Sequence, residues 1–363
     1  MTTSIMAPVR CDDDCLEVVL GVDTHKDVHV AVVCSPVGKR VATASFSTTS
    51  AGYVQLLSWA EGFGAVERAG VEGTGSYGAS LTRYLSAQGV VVTEVNRPDR
   101  ATRRRRGKSD PVDAEAAAHA VISGRAGAKP KSGDGPVEQI RVFKIAKDSA
   151  VKAKRQAINQ LHALVVNAEP ALRERVGQLG RKALVTRCAA FDPPNDGSVI
   201  AAVQHAMRSL ARRVQALDAE IADLTGRLEV LILDTAPRLL LEHGVGVDSA
   251  ATLLRTVGDN PQRLHSEAGF AALCGVSPVD MSSGRTRRHR LNRGGDRQAN
   301  AALFRILMTR LRAHHPTRDY VARRTAQGMS KRRILRCLKR YLARHLFSII
   351  QAAFTPPTVN STA

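Results

Sequence analysis

The sequence predicts an α/β domain followed by a mainly helical region, and three observations carry that expectation. Between residues 16 and 125, short valine-rich runs alternate with segments long enough to be helices. From 137 to 232, apolar residues recur at spacings of three and four. Beyond 236, glycine-rich turns and arginine-rich loops separate further helical patterns.

In order, residues 18–23, 28–35 and 40–47 read as strands with turns at 24–27 and 36–39. Connections this short allow only antiparallel pairing, so the three form a meander. A helix over 49–63, a strand over 66–72, a helix over 76–88 and a strand over 90–95 follow. These connections are long enough for parallel crossovers. An antiparallel meander feeding a parallel half-sheet is the ribonuclease-H-like plan. The competitor is a doubly wound nucleotide-binding domain. It is disfavoured because the chain lacks G-x-G-x-x-G at the first strand–helix turn and the early strands are too close for crossover helices.

An alanine-rich helix then runs to about 123, with a linker at 124–136. Residues 137–232 read as two long amphipathic helices separated at 191–197, where two prolines fall. They form either a hairpin within the chain or a dimerising coiled coil. Residues 236–272 read as helix, glycine-rich hairpin, helix, with His243-Gly244-Val245-Gly246-Val247 at the turn. Such an element can present backbone N–H groups to a phosphate, and it is equally ordinary turn chemistry. A polar loop region covers 273–300, with helices expected over 297–314 and 318–353. The expected divisions are 16–125 (α/β), 137–232 (helical, coiled-coil), 236–325 (a third unit) and 326–363 (a basic helical tail).

Of 363 residues, 53 are Lys+Arg and 33 Asp+Glu, for a net charge of +20. Such an excess points to a polyanion, nucleic acid before membrane. The charge is clustered: residues 281–350 hold 19 Lys+Arg against Asp296 and Asp319 alone. Aromatics are 4%, so arginine–phosphate contact is expected rather than base stacking. No run approaches the ~18 apolar residues of a membrane span. The first residues lack the basic start and apolar core of a signal peptide. Six scattered cysteines leave Cys11 and Cys15 without the second pair of a zinc site, and reduced thiols in a cytoplasm are expected.

Asp23 and Glu72 each close an expected strand, and adjacent strand ends line one crevice. Asp110 and Asp113, three apart at a helix start, share a face. Four clustered carboxylates stay ionised together only around a cation, and Mg²⁺ or Mn²⁺ suits oxygen ligands. Two such ions would serve phosphoryl transfer. By itself Asp110-Pro111-Val112-Asp113 is also a good helix cap. What favours the metal is the neighbouring basic run, Arg103, Arg104, Arg105, Arg106 and Lys108. A second constellation is Ser282-Ser283-Gly284 followed by Arg285, Arg287, Arg288, Arg290 and Arg293. A serine nucleophile needs a base or metal to take its proton. No convincing base lies nearby, His289 being six residues on, so the segment reads at least as well as a turn in a nucleic-acid-binding loop. Lys331, Arg332, Arg333, Arg336, Lys339, Arg340 and Arg344 spread around a helix, for nucleic acid or for solvent.

These segments, in this order, resemble the insertion sequence 110 family of transposases, which includes the Piv-type invertases. The likeness covers about 17–325. It rests on Gly-Val-Asp-Thr-His-Lys-Asp (21–27), Val-Glu-Gly-Thr-Gly-Ser-Tyr (71–77) and Lys-Ser-Asp-Pro-Val-Asp-Ala (108–114). It continues with Gly-Val-Gly-Val-Asp-Ser-Ala (244–250), Cys-Gly-Val-Ser-Pro (274–278) and Ser-Ser-Gly-Arg-Thr-Arg-Arg (282–288). The resemblance implies a RuvC-like domain with a DEDD tetrad at Asp23, Glu72, Asp110 and Asp113. It also implies a C-terminal transposase domain with a catalytic serine at Ser283, Ser282 being the alternative. It further implies double-stranded DNA as substrate, a phosphoserine link, and homo-oligomers whose composite sites take tetrad and serine from different subunits. In some members an element-encoded guide RNA takes part. The expected location is the cytoplasm, at the nucleoid. One departure is an extra glycine in Arg293-Gly294-Gly295-Asp296-Arg297, which bears on local loop geometry. The rival readings are a RuvC-like nuclease without a covalent intermediate and a non-catalytic nucleic-acid-binding protein.

Overall fold

A computed structural model describes residues 17–95, 109–286 and 288–354. The chain divides into two compact units. One runs to Asp134 and includes Gly258–Arg263; the other comprises Gly135–Val257 and the residues from Leu264 onward.

The first unit is built on β1 (Glu17–Thr24), β2 (Val28–Cys34), β3 (Arg40–Ser47), β4 (Ala65–Glu72) and β5 (Val91–Val95). Its helices are α1 (Ser50–Glu61), α2 (Ala79–Ala87) and α3 (Asp110–Ile122). The sheet order is β3-β2-β1-β4-β5. The first three strands pair antiparallel, and β1, β4 and β5 pair parallel. This is the mixed sheet of a ribonuclease-H-like domain, as the strand spacing implied, and it agrees with the RuvC-like domain that the resemblance implied.

Strand β1 is buried on both faces, which is why it reads as an unbroken apolar run. Val18, Leu20 and Val22 join Leu56, Leu57, Leu81 and Leu85 beneath α1 and α2. On the opposite face Val19 meets Ala114, Ala118 and Val121 of α3. The α2 helix starts at Ala79 rather than 76, because Gly73 (φ +66°) and the residues after it form a turn.

In the second unit, α4 (Pro136–Asn167) and α7 (Val199–Thr235) form a long antiparallel hairpin. The expected single helix before 191 is in fact three. After α4 come α5 (Pro170–Val176) and α6 (Arg181–Ala189). Pro170 forces the residue before it out of helical geometry, and Glu169 sits at ψ 143° as the N-cap of α5. Leu172, Val176, Leu184 and Cys188 then fill the far end of the hairpin with Ile158, Leu161, Met207 and Val214.

The near end packs α8 (Arg238–Leu241), α9 (Val247–Val257), α10 (Glu267–Leu273), α11 (Arg297–Ala313) and α13 (Lys331–Phe354) around one core. Phe270 and Phe347 stack at its centre, 5.2 Å apart. The helix expected over 318–353 is also two, α12 (His315–Ala326) and α13. Gly328, at φ +76°, ends α12 in a Schellman motif: its N–H donates to Thr325 (2.9 Å) and that of Met329 to Arg324 (3.0 Å).

Residues 273–300 are more ordered than a loop. β6 (Pro278–Asp280) and β7 (His289–Leu291) pair as an antiparallel hairpin. Among the described residues, Cys34, Cys188, Cys274 and Cys337 are free thiols, and no helix is long and apolar enough to cross a membrane.

Candidate metal centre and hairpin serine

The carboxylates gather at one end of the sheet because of two glycines. Gly21 and Gly70 face each other across β1 and β4, each two residues before an acid on the same pleat face. A Cβ on Gly21 would lie 2.1 Å from the Ala114 carbonyl oxygen, and one on Gly70 2.4 Å from that of Ala117. Only glycine lets α3 lie this close to the sheet. That approach carries Asp110 and Asp113, in the first turn of α3, to the end of β1 that bears Asp23. Val22 pairs with Val71, so Asp23 and Glu72 are the next aligned positions. The strand ends are tied there by Thr24, whose hydroxyl donates to the Glu72 carbonyl at 2.8 Å. Thr24→Val keeps the shape and removes the donor. It is expected to cost about 1 kcal/mol of unfolding free energy in chemical denaturation.

Asp23 and Asp113 are buried and Asp110 is half exposed. Burial pushes the Asp23 carboxyl above the ordinary aspartate value; His25 opposes this, and the charges of Asp113 and Asp110 add to it. Excess negative charge at a partly buried site is the electrostatic state that a divalent cation relieves. The residues therefore fit a metal ion. Asp23, His25 and Asp110 each offer one ligand atom, all within 4.8 Å of one another. Of the carboxylates expected from the sequence, Asp23, Asp110 and Asp113 thus lie near one another in the first unit, while Glu72 is placed by the end of the neighbouring strand. Sequence reasoning missed His25 and the glycine pair. The signal for the latter was present, as Gly-Val-Asp at 21–23 is echoed by Gly-Val-Glu at 70–72.

The serines lie in the second unit, at the tip of the β6–β7 hairpin. Ser283 and Thr286 exchange backbone hydrogen bonds of 3.1 and 3.0 Å around Gly284 (φ +53°) and Arg285. Glycine at the first central position is the requirement of a type II′ hairpin turn. Ser283 is exposed, as are Arg285, Arg288, Arg290 and Arg293. Arg287 and the basic run Arg103, Arg104, Arg105, Arg106 and Lys108 lie outside the described residues.

A carboxylate does lie near the serines. Asp280 accepts from both the N–H (2.8 Å) and the hydroxyl of Ser282. The Ser282 hydrogen bonds hold the Asp280 carboxyl below its ordinary value. Sequence reasoning looked downstream, to His289, and missed this residue two positions upstream. The hydroxyl engaged by the carboxylate is that of Ser282, so Asp280 braces the tip rather than the serine beside the glycine.

The hairpin is held to its helices by two asparagines. Asn292 donates to the Ala272 carbonyl (3.0 Å), and Asn300 to those of Cys274 (3.0 Å) and Gly275 (3.1 Å). The extra glycine has a steric reason. A Cβ on Gly295 would lie 2.2 Å from the Gly275 nitrogen. Asp296 then caps α11 through bonds from Gln298 (2.7 Å) and Ala299 (3.2 Å).

Two other sequence candidates are partly committed within the fold. The N-terminus of α9, after the glycine-rich turn, holds the chain's own Asp248, 2.8 Å from Lys147 and 3.8 Å from Lys144. On α13, Arg340 and Arg344 pair with Glu267, and Lys339 donates to Asn300.

Comparison with known proteins gives the same order of parts. Residues 20–170 match the transposase family of DEDD, IS110 type. Residues 237–322 match the family described as "Transposase IS116/IS110/IS902 family". A curated relative, "Insertion element IS110 uncharacterized 43.6 kDa protein" of Streptomyces coelicolor, is 31% identical over 159 residues. That alignment spans 44% of this chain and 36% of the relative's length. With the DEDD match on the sheet unit and the second match spanning the serine hairpin, the chain belongs to the IS110 family of transposases.

Proposed function

We propose that this protein is a DNA transposase or site-specific recombinase that cuts and rejoins DNA at the ends of an insertion element. The observation that supports it is one chain carrying both a carboxylate cluster at a sheet end and an exposed serine on an arginine-bearing hairpin. In this reading Asp23, Glu72, Asp110 and Asp113 hold Mg²⁺ or Mn²⁺. Such an ion, when bound, stabilises charge on phosphate oxygens and favours the alkoxide form of an attacking hydroxyl.

The Ser283 oxygen forms an ester bond to the scissile phosphorus while the bond from phosphorus to one deoxyribose oxygen breaks. The serine proton ends on the departing sugar hydroxyl. The phosphoserine ester keeps a phosphate ester bond in being, so a deoxyribose hydroxyl from another end can re-form a diester and release the serine. Arg285, Arg287, Arg288, Arg290 and Arg293, with Arg103, Arg104, Arg105, Arg106 and Lys108, neutralise backbone phosphates of double-stranded DNA. The partner is a second copy, completing a composite site, joined by an element-encoded guide RNA where the element supplies one. The work is done on chromosomal DNA in the cytoplasm.

The test is to incubate the protein with element-end DNA, divalent ion and any associated RNA, and to look for covalent protein–DNA adduct on a denaturing gel. Wild type and Ser282→Ala are expected to form it, and Ser283→Ala to form none. The same adduct from Ser283→Ala would overturn the serine assignment. Normal cleavage by Ser283→Ala without adduct would favour a hydrolytic nuclease.

A further inference from the structure

The carboxylates alone would make an all-oxygen site. The structure adds a nitrogen. His25 Nε2 lies 3.2 Å from Asp23 Oδ2 and 3.4 Å from Asp110 Oδ2, between a carboxylate at the end of β1 and one in the first turn of α3. Neighbouring ligands of an octahedral ion with bonds of about 2.1 Å stand about 3 Å apart, close to both His25 distances, and one ligand atom from each of the three residues lies within 4.8 Å of the others.

His25 is also held in place. It opens the β1–β2 turn, and the residues on both sides of it are anchored. Thr24 is bonded to the Glu72 carbonyl. The Thr48 hydroxyl donates to the Lys26 carbonyl at 2.8 Å, and the Thr48 N–H to that of Asp27 at 3.2 Å. A turn pinned at three points fixes the backbone from which His25 projects, so less backbone entropy is left to lose when a ligand forms.

We propose that His25 is a ligand of the metal centre through Nε2, and that it gives the centre a preference for Mn²⁺ over Mg²⁺. The proposal rests on the tetrad being a metal site. Mg²⁺ strongly prefers oxygen and keeps its waters, whereas imidazole nitrogen suits transition metals better. A mixed nitrogen–oxygen set tilts the choice towards manganese. The plain alternative is that His25 is an exposed turn residue that only hydrogen-bonds the two carboxylates.

The deciding measurement uses Mn²⁺ and Mg²⁺ alone, on the full chain without DNA. Electron spin-echo modulation of bound Mn²⁺ is expected to show coupling to a ligand nitrogen in wild type and none in His25→Ala. Titration calorimetry is expected to show the Mn²⁺-to-Mg²⁺ affinity ratio falling about tenfold in His25→Ala. His25→Asp supplies an oxygen in the same place; it should retain a bound ion, lose the nitrogen signal and lose the preference. Bound Mn²⁺ with no nitrogen coupling in wild type, or an unchanged ratio in His25→Ala, overturns the role of His25 and leaves the tetrad standing. No Mn²⁺ binding by wild type overturns both.

Discussion

Asp23→Asn is expected to weaken divalent-ion binding by at least about a hundredfold and to leave a folded protein that is more stable than wild type in chelator. The two halves share one cause. Burial raises the Asp23 carboxyl and the neighbouring Asp113 and Asp110 add to it, so its ionisation opposes folding when no cation is present. A group raised in the folded state contributes its favourable share below its unfolded pKa and loses it as pH rises through the folded value. Asparagine has no proton to lose. The stability difference between variant and wild type in chelator should therefore open as pH rises past the ordinary aspartate range and then level off. Thermal unfolding against pH, with and without Mn²⁺, reads both effects. In Mn²⁺ at concentrations that saturate wild type the order should reverse, because wild type gains the greater binding energy. A variant less stable than wild type in chelator would mean that Asp23 is a structural cap.

Gly21→Ala is expected to damage the same centre without touching a ligand. The new methyl would meet the Ala114 carbonyl oxygen at 2.1 Å and the Ala118 nitrogen at 2.7 Å. Neither is a flexible side chain that can swing away; both are backbone of α3, so the whole helix must lift from the sheet. Overpacking of this kind costs about 1–3 kcal/mol. The greater loss is geometric, since Asp110 and Asp113 ride on α3 while Asp23 stays on β1. Denaturation and Mn²⁺ titration of the variant should show lower stability together with weaker binding. Metal affinity preserved alongside lost stability would show that the site does not depend on how closely α3 sits.

The serine hairpin shows why some of this was hidden in the chain. Residues 278–291 contain few alternating apolar residues, and β6 and β7 are three residues each, largely exposed. Strand periodicity cannot reveal so short a pair. The hairpin is specified by Gly284 at its turn and by Asn292 and Asn300, which hold its base to neighbouring carbonyls. The breaks at 168–170 and 327–330 were missed for a different reason. Apolar periodicity runs through both, while Pro170 and Gly328 act through local backbone geometry. His25 looked like one more polar turn residue until the fold placed Asp110, 85 positions later, beside it.

What the sequence by itself determined is the mixed sheet, through early connections that allow only antiparallel pairing and later ones long enough for parallel crossovers. It also determined the two carboxylates at strand ends and the pair at a helix start, because strand ends and helix caps are local features. What only the tertiary structure decided is which of these groups meet. That depends on the distance at which α3 lies over β1 and β4, set by the absence of two Cβ atoms at Gly21 and Gly70. A periodic pattern records which face of an element is apolar; it does not record how near the next backbone can come.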